Sequence, residues 1–172
     1  MPSVANLTAR NYEIYFKGEH LGHIVGGVEY LKEREWTSLK TDYYSADVDR
    51  ILKSENLTIK FSIAEIVGGK LEQIMQECDT QVGATDTKVY FGKDPGFSLR
   101  GVAGELRLHP QGVALSDDTK DFYLYKAASV DAVKIPFTVE EQSLIEVTFM
   151  AFIDETRGDG RRLGHYGPNT IS

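Results

Sequence analysis

Between residues 57 and 78 the hydrophobic period of the chain switches, and this switch constrains the fold more than any other stretch. Leu57, Ile59, Phe61 and Ile63 alternate with Thr58, Lys60 and Ser62. Successive side chains of an extended segment point to opposite sides, so the pattern predicts a β-strand with one buried and one wet face. Leu71, Ile74, Met75 and Cys78 then fall at i, i+3, i+4 and i+7. That spacing lines one stripe of a helix, predicted over residues 70–78. Gly68 and Gly69 precede the stripe and give the chain freedom to turn. The unit needs strands on both edges and an apolar surface under its helix. It reads as scaffold, without chemistry of its own.

Other segments repeat the two-residue period. Tyr12, Ile14 and Phe16 mark a first strand; a second begins at Val28 and carries Tyr30; a third covers residues 36–40. Leu106 and Leu108 alternate with Glu105 and Arg107, and Phe122, Leu124 and Lys126 with Tyr123 and Tyr125. Val89 to Phe91 is short and apolar, after a polar connection over residues 79–87. Pro136 has no donor, so the segment around it belongs at a sheet edge or a strand start. In the last strand Ile145, Val147, Phe149, Ala151 and Ile153 face one way, and Glu146, Thr148, Met150 and Phe152 the other. Apolar residues on both faces there predict a sheet covered on two sides. Seven or eight such strands with one clear helix predict a mainly β fold, an antiparallel β-sandwich or small barrel with one flanking α-helix.

A chain of 172 residues is expected to form a single domain that buries roughly 70% of its unfolded surface, so it needs neither disulfide nor metal to hold together. Residues 1–20 and 155–172 read as arms, the second carrying the basic group Arg157, Arg161 and Arg162. Cys78, the one cysteine, lies on the helix stripe and is expected to be a buried, inert thiol. The first residues carry no signal-like basic and apolar regions, and no run approaches the ~18 apolar residues of a membrane span. A cytoplasm-like setting is expected. The net charge of −7 argues against a DNA-reading module, yet suits a surface that DNA must pass without sticking.

Residues 41–56 mix charge and aromatic side chains with weak periodicity and read as a long loop. Such loops are usually functional or interfacial. Tyr43, Tyr44, Ile51 and Leu52 are anchors of the kind protein interfaces use, ringed by Asp42, Asp47 and Asp49. Those three carboxylates lack the glycine and terminal glutamate of a calcium-binding loop. His20 and His23 sit in a glycine-rich turn without further clustered ligands, which is not a zinc pattern. Gly22 to Gly27 matches no nucleotide-binding loop in full, and no serine lies in a nucleophile elbow. Glu65, near a helix start, is best read as a cap favoured by the helix dipole. Arg157-Gly158-Asp159 spells an integrin-binding tripeptide, a match short enough to arise by chance. No catalytic residue, cofactor or metal ligand is assigned, and an enzyme is not expected.

The order of these pieces resembles that of phage tail tube proteins. The likeness is carried by Gly26-Gly27-Val28-Glu29, by residues 36–42 and the loop to Leu52, and by residues 57–66 with their Ala64-Glu65 junction. Ile135-Pro136-Phe137 and residues 146–154 are similar to that family's closing strands. The resemblance implies a virion structural protein, a major tail protein that self-assembles into hexameric rings stacked as a hollow tube for DNA ejection. One sheet of each subunit would join its neighbours around the lumen. Implied partners are further copies of the chain, sheath, tape-measure, tail terminator and baseplate proteins, and passing DNA that is not specifically bound. In such tubes a loop at this place, with the terminal arms, contacts the next ring. The inter-subunit residues expected are therefore Asp42, Tyr43, Tyr44, Asp47, Asp49, Ile51 and Leu52, with Arg157, Arg161 and Arg162 as candidate partners of the three aspartates. The type VI secretion tube protein shares this architecture, and a stand-alone phage decoration or binding β-domain is the alternative from another class.

Overall fold

The alternating segments pair into one antiparallel sheet. The computed structural model describes residues 11–44, 46–64, 68–136 and 144–170. Its strands are β1 (Tyr12–Phe16), β2 (Glu19–His20), β3 (Ile24–Leu39), β4 (Asp49–Ile63), β5 (Asp79–Val82), β6 (Thr87–Tyr90), β7 (Gly104–Pro110), β8 (Phe122–Ser129), β9 (Ile145–Ala151) and β10 (Gly164–Tyr166). Two short helices accompany them, α1 (Gly68–Ile74) and α2 (Leu99–Val102). The main sheet runs β2-β1-β7-β8-β9-β4-β3, with β10 added beside β8, while β5 and β6 form a separate hairpin. The fold is mainly β, as its two-residue periods predict.

The sheet folds over onto itself. Phe16 of β1 reaches Phe149 of β9, with 5.3 Å between ring centroids, although β7 and β8 lie between them in the sheet. Tyr30 of β3 likewise meets Phe122 of β8 at 5.6 Å. The enclosed core takes the alternate residues Leu57, Ile59, Phe61 and Ile63 of β4, and Ile145, Val147, Phe149 and Ala151 of β9. Ile14, Phe16, Leu106, Leu108 and Leu124 complete it from the other half, giving sandwich character. Ile153 lies past the end of β9 and is exposed, so the alternation expected to continue through it stops at Ala151.

Ile74, Met75 and Cys78 are buried, as the helix stripe requires, but α1 ends at Ile74 rather than Cys78. Gln76 accounts for the early stop. Its side-chain amide donates to the Gln73 carbonyl near the helix end, and its Oε1 accepts the Ser129 N–H at 2.8 Å. One side chain thus satisfies a helix carbonyl and ties it to β8.

Several boundaries differ from those the sequence predicts. The second and third strands are one continuous strand, β3, and residues 49–56 of the expected loop belong to β4. The polar connection at 79–87 carries β5 and the start of β6, whose backbone pairing needs no apolar period. Within the residues expected as arms, β1 is a core strand and β10 pairs with β8. Glu65, Ile66 and Phe137 lie outside the described residues. Among the described residues no helix is long and apolar enough to cross a membrane.

Candidate functional site

The hairpin of β3 and β4 is far longer than the sheet it belongs to. Its register runs from Ile24 opposite Ile63 to Leu39 opposite Asp49. Strand β9 pairs β4 only from Thr58 to Ile63. The outer part, residues 33–39 with 49–56, is therefore a two-stranded ribbon reaching beyond β9. Eight residues at ~3.3 Å each extend it by roughly 25 Å. Near its root Gly26 and Gly27 adopt φ of 81° and 90°, in the left-handed region, and form a bulge between Val25 and Val28. A bulge of this kind bends a strand and re-aims its outer part.

Both faces of the ribbon are wet, so charge replaces apolar alternation. Lys32 pairs with Glu55 at 2.8 Å, Arg34 approaches the same carboxylate at 3.8 Å, and Lys53 pairs with Glu35 at 2.6 Å. Exposed pairs contribute ~0–1 kcal/mol each and serve to fix which residues face each other. At the tip the Val48 N–H donates to the Leu39 carbonyl at 2.8 Å and closes the turn. Asp47 gathers the loop: it accepts from the Ser38 hydroxyl at 2.8 Å and pairs with Arg50 at 3.3 Å and Lys40 at 3.8 Å. Asp49 accepts the Arg50 N–H at 2.7 Å.

This brings Asp42, Tyr43, Tyr44, Asp47, Asp49, Ile51 and Leu52 together at one end of the molecule. Tyr43 is 95% exposed and Tyr44 70%, while Trp36, Leu39, Val48, Ile51 and Leu52 are exposed around them. Trp36 and Leu52 face each other across the strands, and Ile51 and Leu39 lie on the opposite face. The result is a narrow projection with apolar side chains on both sides.

The three arginines sit elsewhere, in the turn before β10. Arg157 lies 3.7 Å from Asp154, with its guanidinium 4.2 Å from the Tyr125 ring centroid. Arg162 pairs with Asp159 at 2.5 Å, and the exposed Arg161 donates its N–H to the Gly158 carbonyl. Within one chain, then, Arg157 and Arg162 have local carboxylate partners rather than Asp42, Asp47 or Asp49. A bond from Thr156 and the neighbouring Lys126 hold the Asp154 carboxyl below its usual range. Arg162 and Leu52 both line one groove of about 700 Å³ between the ribbon and β10, along with Tyr30, Leu57 and Phe122.

A second cluster lies on the outer face of β7 and β8 and is invisible as a motif. Asp121 is fully buried, accepts from Arg107 Nε at 2.5 Å, and lies 2.8 Å from His109 Nδ1. His109 Nε2 faces the Val113 carbonyl at 3.2 Å, and Arg107 donates to the Leu115 carbonyl at 2.9 Å. The network pins the 111–120 turn to the sheet. Its only trace in the sequence is that Arg107 and His109 share a face of a period-two strand. Burial pushes the neighbouring Tyr123 hydroxyl up to about 12. His20 Nδ1 accepts the Gly22 N–H, ordering its turn. Among the described residues no three His, Cys, Asp or Glu side chains are grouped to hold a metal ion. The most distinctive surface among the described residues is the ribbon tip, with Trp36, Leu39, Tyr43, Tyr44, Ile51 and Leu52 exposed. No protein-family model matches the chain, and no curated protein matches its sequence.

Proposed function

We propose that the chain is the subunit of a phage tail tube, a non-enzymatic protein that self-associates into hexameric rings and stacks them around a channel for DNA. The observation that supports this reading is the projecting ribbon. A lone subunit leaves Trp36, Leu39, Tyr43, Tyr44, Ile51 and Leu52 in water at its tip, and apolar anchors rimmed by charge are what protein partners bury. Arg157, Arg161 and Arg162 of a neighbouring copy are candidate partners for Asp42, Asp47 and Asp49. Such pairs steer and register more than they bind. The net charge of −7 fits a conduit that repels passing DNA.

Electron microscopy of the purified protein at high concentration tests the reading. Rings or tubes support it, and a type VI secretion-like tube would share that outcome. Monodisperse single subunits at every concentration would overturn it in favour of a stand-alone binding domain.

A further inference from the structure

Strand β10 is three residues long, and its described pairing is along one edge, with His165 opposite Tyr123. On the other side of β8, Arg107 is opposite Tyr123, so Arg107, Tyr123 and His165 form one row across three strands. The His165 ring stacks on Tyr123 with 4.7 Å between centroids and planes 10° from parallel, and lies 5.4 Å from Tyr125. Tyr125 in turn carries the Arg157 guanidinium. Both ring nitrogens of His165 are shielded from solvent and have no hydrogen-bond partner among the described residues. The strands also meet closely: a Cβ at residue 164 would overlap the Tyr123 carbonyl oxygen, so glycine is needed there.

A neutral imidazole tolerates this slot at the cost of unmade bonds. An imidazolium brings two unpaired donors and a charge that the slot does not solvate. The charged groups around it are mixed. Arg157 opposes a positive ring, Glu105 and Asp118 favour one, and Arg107, across Tyr123, is already paired with Asp121. Burial first, then Arg157, holds the imidazole below its ordinary range against the pull of the two carboxylates.

We propose that β10 is an acid-released latch, in which protonation of His165 frees residues 163–170 from β8. Besides the β10–β8 pairing itself, three bonds go with it: Tyr125 N–H to the Leu163 carbonyl at 3.1 Å, Gly167 N–H to the Asp121 carbonyl at 2.9 Å, and Asn169 N–H to Asp118 at 2.9 Å. Phe122 also loses the Tyr166 ring, 4.6 Å away. Release opens the β8 edge at residues 122–124 and one wall of the groove beside the ribbon. The proton count sets the sign. A freed His165 titrates near 6.5 and a docked one lower, so between those values undocking takes up one proton. The docked fraction is therefore unaffected above that pH, and the docking equilibrium falls by up to about tenfold per pH unit below it.

Amide hydrogen exchange on the full chain from pH 7.5 to 5.0, corrected for intrinsic rates, tests the latch. Protection at Tyr125 and Gly167 is expected to fall below pH ~6.5 while the β4 amide of Ile59 holds steady. In His165→Phe, which keeps a stacked ring but takes no proton, protection at Tyr125 and Gly167 is expected to stay flat. Wild-type protection without pH dependence, or a parallel fall in His165→Phe, would overturn the proposal. Because that variant can dock differently, NMR titration of the His165 ring in the wild type gives an independent measure. A midpoint below ~6.5 is expected, and one at or above it also overturns the latch.

Discussion

Phe61 and Phe149 stack face to face across β4 and β9, with ring centroids 5.8 Å apart and planes 11° from parallel. Phe16 closes on Phe149 from the other half of the folded sheet at 5.3 Å. The Phe149 ring is thus where the two halves of the core meet. Phe149→Ala is expected to cost ~3–5 kcal/mol, because the cavity it leaves is walled by two sheet faces that cannot collapse into it. Urea unfolding followed by circular dichroism reads this loss. An unchanged midpoint would remove Phe149 from the core.

Asp121 holds two cationic or donating partners from a fully buried position. Asp121→Ala leaves Arg107 and His109 without their acceptor and unties the 111–120 turn. The expected loss is about 3 kcal/mol, the low end for breaking a buried ion pair, since Arg107 is partly solvated. Proteolysis within residues 111–120 should accelerate in the same variant, and a cleavage pattern identical to wild type would show that the turn is held by other means.

The double substitution Tyr43→Ser, Tyr44→Ser removes two exposed rings at the ribbon tip. Surface changes of this kind stay within about 0.5 kcal/mol each, so the melting temperature should hardly move. If the tip is the self-association surface, rings and tubes should vanish from micrographs of the same sample. Normal assembly by this variant would transfer the contact to another face.

The Cys78 thiol is buried against the core below α1, and burial, reinforced by Glu77 and Asp79, pushes it up from its ordinary value. The reactive thiolate is therefore scarcer than in a free cysteine at pH 8. Labelling of the native chain by a thiol reagent should be slower than labelling in urea and should rise steeply with pH. Rapid stoichiometric reaction of the native protein at neutral pH would contradict the placement.

How much of this was legible depended on what each residue is buried against. Leu57 to Ile63 and Ile145 to Ala151 write a period of two because one face meets the core and the other does not. Leu71, Ile74, Met75 and Cys78 announce a helical stripe, but the stop after Ile74 is made by Gln76 bonding across to Ser129, a long-range event that no local pattern encodes. Residues 49–56 read as loop because the outer ribbon buries neither face, so no alternation was there to mark Arg50 or Ser54 as strand. Strand β10 was unreadable for a different reason: it docks through two ring contacts, His165 on Tyr123 and Tyr166 on Phe122, and three residues are too few to write a period. At the candidate site Tyr43, Tyr44, Ile51 and Leu52 stood out as apolar anchors among charges, and the structure gathers them at one tip. The local pairing of Arg157 with Asp154 and of Arg162 with Asp159 was hidden in a turn whose geometry the sequence does not state.

The charge order along the ribbon also works as an error check on pairing. Arg34 stands opposite Glu55, with Glu33 across from Asn56 and Glu35 across from Ser54. A slip of one residue in one direction would set Glu33 against Glu55, and in the other direction Glu35 against Glu55. Both misalignments juxtapose like charges, which is unfavourable. A strand with one greasy face is proofread by the burial it would lose on slipping. This ribbon has no such face, and Glu55, flanked diagonally by two glutamates, performs the proofreading instead.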